Sequence, residues 1–371
     1  MQIVSTGIMS RGEAGTARAN LTFPNFVTLS NGDLLANWRA GSTKDCDDEG
    51  LEFSRSRDGG ESWSEPFRPV EAPRVNGVGG TLKIGYLTET SPGRLMGVFH
   101  WVDRETYPGQ GLFNADTEGC LPTRMLLAES DDSGHSWSAF REVPMPEVIG
   151  PPSLTNPLII LADGTLVMSV ESNKTYQDDS TWYQRVVMFH STDQGQTWGE
   201  PAIAGFDPSG RIYNWDQRVG LAPDGRLGAF LWTYDSHMST YHNIHRRISA
   251  DGGHTWTQAE DLGFPDQAAH PAILPDGRVL LDYVDRFNTH SIRARLAPAI
   301  DAAFDPDSEV SIYEHGNPDD GEPQADGALG LSVWSFGLPF GELLPNGDVL
   351  VLYYAGSEEA MDVHWTRLRV K

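Results

Sequence analysis

The 371-residue sequence predicts an all-β protein, a six-bladed β-propeller, and three observations support this fold class. An eight-residue pattern, Ser-x-Asp-x-Gly-x-Ser/Thr-Trp, occurs four times. A second repeat, a tight turn followed by an apolar strand, occurs six times. The 39 Gly, 24 Pro and 11 Trp are typical of short strands joined by turns, and no long segment keeps a helical apolar period.

The eight-residue pattern stands at 56–63, 130–137, 191–198 and 249–256. Its aspartates, Asp58, Asp132, Asp193 and Asp251, lie 74, 61 and 58 residues apart, a period that suits one multi-stranded blade of a propeller. An Asp carboxylate accepts hydrogen bonds from turn amides, Gly adopts a positive φ, and the Trp ring packs between sheets. We therefore expect this repeat to build hairpins and to carry no chemistry.

The turn-and-strand repeat begins with an Asn/Asp/Pro-Gly turn and continues with a strand that is apolar on both faces, as expected of an inner strand held between neighbouring blades. Its copies are 29–41, 90–104, 161–174, 221–235, 274–286 and 344–356. Six copies predict six blades in a single domain spanning 1–371. Residues 2–9 and 363–370 alternate in polarity, and they are the candidates for one blade shared by both chain ends.

Charge and composition exclude several kinds of partner. A formal charge of −25 predicts repulsion from nucleic acid and from anionic lipid, and no apolar run is long enough to span a bilayer. The first residues lack the apolar core of a signal peptide, which favours a cytoplasmic protein. No motif indicates a cofactor, and nothing requires the two cysteines, Cys46 and Cys120, to pair.

Loops that leave the inner strands of a propeller converge on its axis, where a small-molecule site is expected. In this chain they carry aromatic rings, carboxylates, arginines and histidines, which together suit a carbohydrate: ring faces for the C–H side of a sugar, charged groups for its hydroxyls. The candidate side chains that follow the strands include Arg39, Asp45, Glu171, Trp232, His237, Arg286 and Tyr353.

The eight-residue pattern resembles the Asp-box (BNR) repeat of the sialidase superfamily, and the resemblance covers nearly the whole chain. It implies a propeller with an axial active site that has three substrate-binding arginines, a Tyr nucleophile paired with a Glu, and an Asp acid/base on the first-blade loop. In this chain Arg39 and Asp45 look like the family's first-blade Arg and acid/base Asp, and Arg293 looks like the third arginine.

Other positions depart from that pattern. Thr22-Phe23-Pro24 stands where the family has Arg-Ile-Pro, so the first arginine is missing unless Arg18 reaches the site. The family's Glu falls on Asp216, its second Arg on Trp232, and its nucleophilic Tyr on Leu338. Because a Leu cannot attack an anomeric carbon, we expect no ordinary sialidase activity.

Three functions are compatible with the sequence. The first is a sialidase-like glycoside hydrolase with Asp45 as general acid and Asp216 or Glu171 as base or nucleophile, and with direct attack by water favoured. The second is a polysaccharide lyase or His-dependent glycosidase that uses His237, His242, His245 or His270 as base, with Arg39, Arg286 and Arg293 neutralising a uronate; His242 and His245 near Asp235 could also form a metal pair. The third is a non-catalytic carbohydrate-binding propeller.

Overall fold

The computed structural model describes residues 1–316 and 334–371, and in that part of the chain the fold is all-β. It contains 25 strands and one short 3₁₀ helix, Glu147–Ile149. None of its described helices is long and apolar enough to cross a membrane. Both cysteines are free.

The strands follow one another along the chain with short connections. They are β1 (Gln2–Ser10), β2 (Asn20–Thr28), β3 (Leu34–Gly41), β4 (Gly50–Ser56), β5 (Gly80–Ser91), β6 (Arg94–Asp103), β7 (Thr123–Ser130), β8 (Arg141–Val143), β9 (Ser153–Leu154), β10 (Ile159–Ile160), β11 (Leu166–Glu171), β12 (Arg185–Ser191), β13 (Ala202–Phe206), β14 (Ile212–Leu221), β15 (Leu227–Asp235), β16 (Thr240–Tyr241), β17 (His245–Ser249), β18 (Glu260–Asp261), β19 (Gln267–Ile273), β20 (Val279–Asp285), β21 (Ser291–Ala297), β22 (Asp305–Glu314), β23 (Phe336–Leu343), β24 (Val349–Gly356) and β25 (Met361–Arg369).

These strands pair into five sheets. Four are antiparallel sheets of four or five strands, in the orders β5-β6-β7-β8, β10-β11-β12-β13, β14-β15-β17-β18 and β19-β20-β21-β22, with β9 paired to β11 and β16 to β15. The fifth has seven strands in the order β23-β24-β25-β2-β3-β4, with β1 paired to β25. Within it, β2 and β25 meet at one parallel pair, Asn20 opposite Met361. The first strand therefore pairs antiparallel with the last, from Gln2 opposite Arg369 to Ser10 opposite Val363.

The six apolar strands of the second repeat are β3, β6, β11, β15, β20 and β24, and nearly every residue in them is buried. The prediction that both of their faces are covered is confirmed. Their predicted place as inner strands is wrong, because each of them lies between two hydrogen-bonded strands and none is an edge strand of its sheet. Several of the strands that precede the turns, β2, β5, β14 and β23, contribute residues to the cavity described below.

The four copies of the eight-residue repeat form the same turn. In each copy the Ser hydroxyl donates to the Asp carboxylate over 2.8 Å, as Ser56 does to Asp58. The backbone N–H four residues after that Asp donates to the same oxygen at 2.8 to 2.9 Å. Gly60 and its counterparts have positive φ values between 77° and 95°. The expected hairpin-building role is therefore confirmed for all four aspartates.

Candidate functional site

A cavity of about 240 Å³ is lined by residues from four of the five sheets. Different sheets contribute Phe23 from β2, Lys83 from β5, Glu171 from β11, Asp216 from β14 and Leu338 from β23. The seven-stranded sheet and three others thus share one site, although these residues are far apart in the sequence.

Irregular backbone turns several of these side chains towards the cavity. The pairing of β2, β14 and β23 with their neighbours shifts register at Phe23, Asp216 and Leu338 respectively. These three residues have φ values of 55°, 43° and 48°, in the left-handed region that residues other than Gly rarely adopt. Each bulge interrupts the alternation of side chains along its strand, and each of the three residues lines the cavity.

Asp45 lies on the loop between β3 and β4 and reaches the cavity with 19% of its side chain exposed. Its carboxylate accepts hydrogen bonds from the Lys83 ammonium at 3.1 Å, from the Arg104 guanidinium and from the backbone N–H of Leu112. Burial raises the pKa of Asp45, but Lys83, Arg104 and the Leu112 amide outweigh burial and hold the pKa below the usual Asp value. Asp45 is therefore ionised at neutral pH.

Glu49, on the same loop, fixes the cations around Asp45. Its carboxylate is fully buried and accepts from Arg39, from Lys83 at 3.2 Å, from Arg104 at 3.1 Å and from the Thr81 hydroxyl at 2.9 Å. Burial raises the pKa of Glu49, but these three cations overcome that effect and lower it well below the ordinary range. The loop is thereby fixed to β5 and β6 by a buried ionic network.

Glu171 has the opposite electrostatic environment. It ends β11, its side chain is buried, and one carboxyl oxygen accepts the backbone N–H of Gln217 at 3.2 Å. Burial and the neighbouring charge of Asp216 raise the pKa of Glu171 to about 8. Asp216 pairs with Arg218, whose Nε and Nη2 both lie 2.9 Å from its Oδ1, yet burial still raises the pKa of Asp216. At neutral pH Glu171 retains a proton that Asp45 has lost.

Aromatic and neutral groups complete the wall. Trp215 and Trp232 pack edge to face with their ring centroids 5.3 Å apart, and both line the cavity. Tyr86 stacks on Phe340 and burial raises the pKa of its hydroxyl, so Tyr86 stays protonated. Burial lowers the pKa of His100 to about 3, so its imidazole is neutral.

The cavity brings together four of the residues that the sequence predicted: Asp45, Glu171, Asp216 and Trp232. Counting from the turn glycines also placed Leu338 correctly on the wall. The other predicted residues do not line it.

Two first-blade arginines do not reach the cavity. Arg39 is fully buried, where it binds Glu49, the Thr22 hydroxyl at 3.3 Å and the Thr43 carbonyl at 2.6 Å. Arg18 forms a two-pronged ion pair with Glu52 at 2.9 and 3.0 Å. Both guanidinium groups are already bound to carboxylates of their own sheet.

Arg286 and Arg293 are also engaged away from the wall. Arg286 donates to the Gln267 side chain at 2.7 Å and to the Phe336 carbonyl at 2.8 Å. Arg293 lies on β21, where it binds Glu309 and the Ser291 hydroxyl. Among the described residues that line the cavity Arg218 is the one arginine, so the three-arginine arrangement of the sialidase superfamily is not found in this part of the chain.

The predicted histidines and Tyr353 are likewise outside the cavity. His270 stacks on Phe340 at 3.9 Å, 3.7 Å from the Glu342 carboxylate, and burial lowers its pKa. His237 is exposed in the turn after β15. Tyr353 stacks on His364 within the sheet core.

The proposed metal pair finds no support in the described part of the chain. The carboxylate of Asp235, near His242 and His245, is bound by Arg211 at 2.8 and 2.9 Å. No group of three His, Cys, Asp or Glu side chains there is arranged to hold a metal ion.

Sequence reasoning missed Lys83, Tyr86 and Arg218. Lys83 is the one charge in the apolar segment TLKIGYL, and Arg218 follows Asp216 by two residues in NWDQRVGL. Charged residues within such edge strands are the signal that could have identified them. Each is buried and paired with a carboxylate of the cavity wall.

Comparison with known proteins shows the family. Residues 32–303 match the BNR repeat-like domain. No curated protein sequence matches the chain. Among solved structures, a protein of unknown function from Dyadobacter fermentans is 21% identical, with a TM-score of 0.76 and coverage of 100% of this chain and 99% of that one.

Two carbohydrate-active proteins have the same fold at lower identity. The intramolecular trans-sialidase from Ruminococcus gnavus, solved with oseltamivir carboxylate, is 15% identical, with a TM-score of 0.65 and coverage of 100% and 98%. The Penicillium chrysogenum α-L-arabinanase, solved with arabinobiose, is 16% identical, with a TM-score of 0.64 and coverage of 98% of both chains. The chain therefore belongs to the BNR repeat-like domain family and has the sialidase-like β-propeller fold.

Proposed function

We propose that this protein is a glycoside hydrolase that binds a terminal sugar in the cavity and is not an ordinary sialidase. The observation that carries the proposal is that two carboxyl groups with opposite surroundings line the same cavity: Glu171 is buried beside Asp216, which raises its pKa, and Asp45 is paired with Lys83 and Arg104, which lower its pKa. Carboxyl groups whose environments separate their pKa values are typical of an acid and a base in glycosidic bond cleavage.

The pKa directions favour Glu171 over Asp45 as the acid, which reverses the roles that the sequence suggested. Glu171 donates its proton to the glycosidic oxygen as the bond from that oxygen to the anomeric carbon breaks. A water molecule attacks the anomeric carbon and gives a proton to Asp45, so the products are a free alcohol and a hemiacetal sugar. Because Leu338 occupies the position of the family's nucleophile and Tyr86 is a neutral phenol, we expect inversion at the anomeric carbon.

We also propose that the fold is a single domain with six blades. Each of the six apolar strands is the second strand of a separate group. The seven-stranded sheet contains two such groups, β23-β24-β25-β1 and β2-β3-β4, which share only the pair Asn20 and Met361. A crystal structure with six sheets around one axis would verify the count.

The function is tested first with a panel of aryl glycosides that includes a sialoside. We expect turnover of at least one glycoside and little or no release of sialic acid, with product stereochemistry followed by proton NMR. Sugar binding without turnover on any glycoside would favour the non-catalytic alternative, and rapid release of sialic acid would contradict the proposal.

Variants then separate the two carboxyl roles. Loss of the general acid slows the cleavage of substrates with poor leaving groups more than that of activated dinitrophenyl glycosides, whose leaving group needs no protonation. We expect Glu171→Gln to lower kcat by about 10²–10⁴-fold on poor leaving groups, with a much smaller loss on activated ones. Asp45→Asn should lower kcat to a similar extent on both kinds of substrate. Glu200→Gln, at an exposed position, is the matched control. If Asp45→Asn gave the dependence on leaving group, Asp45 would be the acid.

The proposal also predicts the basic limb of the pH profile. The acid works only while Glu171 is protonated, so kcat/KM should fall as pH rises through about 8. Asp45 remains ionised well below neutral pH, so the acidic limb should lie below the usual Asp range. Measuring kcat/KM against pH checks both limbs, and the Glu171→Gln variant should lose the basic one.

A further inference from the structure

Resting on the proposed function, we propose that the cavity selects an uncharged sugar ring and discriminates against sugars that carry a carboxylate. The basis is the pairing of the basic side chains on the wall. Among the residues that the structure describes there, Lys44, Lys83 and Arg218 are basic, and all three are already bound by the protein.

Arg218 is the one guanidinium among those three. Its Nε and Nη2 both lie 2.9 Å from the same oxygen of Asp216, and its side chain is only 4% exposed. Carboxylates are usually held by an arginine fork that forms two parallel hydrogen bonds. In this cavity the protein's own Asp216 occupies that fork.

The Lys83 ammonium is also already paired with carboxylates of the protein. It lies between the carboxylates of Asp45 and Glu49 at 3.1 and 3.2 Å, with 6% of its side chain exposed. A substrate carboxylate placed beside Lys83 would therefore also face two negative charges. Like charges at such distances repel strongly in a buried site.

Lys44 points away from these carboxylates. Its ammonium donates to the Trp334 carbonyl and to the Tyr354 hydroxyl at 3.0 Å, and it lies 4.7 Å from the centre of the Tyr354 ring. A substrate carboxylate would have to displace these contacts to pair with Lys44. Of the arginines expected to bind an acid sugar, Arg39 and Arg286 are buried elsewhere, and Arg293 is paired with Glu309.

The rest of the wall suits the apolar and hydroxyl surfaces of a neutral sugar. Trp215, Trp232 and Phe113 provide aromatic surface, and protonated Glu171 is a neutral donor at neutral pH. The volume of about 240 Å³ lies below the ~300–1,000 Å³ of pockets for drug-sized ligands, which suits one ring better than several. A buried carboxylate without an available cation would be poorly solvated there.

Matched sugar pairs test this selection through binding alone. Galactose, glucose and mannose are compared with their uronic acids, which differ only at C6, and N-acetylneuraminate is added. Saturation-transfer NMR at about pH 6 measures Kd while Glu171 is protonated. We expect at least one neutral sugar to bind roughly tenfold or more tightly than its uronic acid. Equal or tighter binding of the acids, or preferred binding of N-acetylneuraminate, would overturn the inference but leave the proposed sugar site standing.

If no sugar of the panel binds, the proposed function itself fails, which distinguishes the two proposals.

Asp216→Asn gives a second test because it frees the Arg218 guanidinium. Uronic acids should then gain affinity relative to their neutral partners, whereas the exposed Asp163→Asn control should leave the ratio unchanged. An unchanged ratio in a folded Asp216→Asn protein would count against the inference. So would a loss of uronate binding in Lys44→Met, because it would identify Lys44 as an available carboxylate partner.

Discussion

Individual side chains in this protein divide between the candidate site and the scaffold, according to their contact partners. Arg39 shows the scaffolding case, because its guanidinium is fully buried and its charge is balanced by Glu49. Asp45 shows the other case, because its ion pairs leave it ionised at the edge of a cavity. Both lie on one short segment, so residue type and spacing alone do not separate the two roles.

We predict that Arg39→Met destabilises the fold by about 3 kcal/mol, since it leaves Glu49 buried with fewer compensating charges. Arg18→Met is the matched comparison: Arg18 is 25% exposed, and its partner Glu52 also binds Arg68 at 3.1 Å. We expect that variant to lose about 1 kcal/mol or less. Urea unfolding of both variants measures the difference. A stable Arg39→Met protein with weakened sugar binding would instead make Arg39 a substrate ligand.

The sequence predicted some cavity residues and missed others for a physical reason. Asp216 and Leu338 were located by counting from a turn glycine, because hairpin geometry fixes the distance along a strand. The carboxylates that pair with Lys83 lie near it only in the folded protein, and the burial of the Arg218–Asp216 pair also arises only there, so periodicity does not reveal either residue. The pairing of Arg39 with Glu49 depends likewise on the β3–β4 hairpin.

At the scale of elements, strand and turn were predictable, but the place of a strand in its sheet was not. An apolar strand such as β15 is buried on both faces, and this burial does not reveal its position in the order of strands within its sheet. Two polar residues of the cavity, Lys83 on β5 and Asp216 on β14, lie where bulges interrupt the alternation that makes a strand recognisable, and Asp45 lies on the loop between β3 and β4. The least regular segments therefore carry most of the candidate site.

The repeated turns make a separate prediction about stability. Asp251 accepts from the Ser249 hydroxyl at 2.8 Å and from the Thr255 amide and hydroxyl at 2.9 and 2.6 Å. We expect Asp251→Ala to cost about 1–2 kcal/mol and to leave kcat unchanged, because this turn is absent from the cavity wall. Thermal unfolding and a glycosidase assay on the same samples check both parts.

The loss of folding free energy caused by Asp251→Ala should depend on pH. Burial raises the pKa of Asp251, but hydrogen bonds from Thr255 and Ser249 outweigh it and lower the pKa to about 2. The stabilisation is therefore fully present above the unfolded pKa of about 4 and disappears as pH falls towards 2. The difference in free energy of unfolding between wild type and Asp251→Ala should shrink over that interval. A difference that stayed constant would mean that the carboxylate charge contributes nothing.

At the scale of the whole molecule, the pairing of β1 with β25 joins segments from the two ends of the chain. This pairing covers the backbone edge of β25 along most of its length, and the Trp365 ring packs so closely on Gly7 that a Cβ there would lie 2.7 Å from it. Local sequence shows only that both segments alternate in polarity. Which strand each one joins is decided by the arrangement of all the sheets between them.

We predict that removing residues 2–10 lowers the melting temperature and promotes concentration-dependent association, because it exposes the hydrogen-bonding edge of β25. Size-exclusion chromatography across a concentration series and thermal unfolding measure the two effects. Gly7→Val should also lower the melting temperature, because the valine side chain would displace the Trp365 ring. Val4→Thr, at a residue 41% exposed on the same strand, is the control and should change neither property. If the shortened protein stayed monomeric with an unchanged melting temperature, β1 would be dispensable and the edge of β25 would be protected by other means.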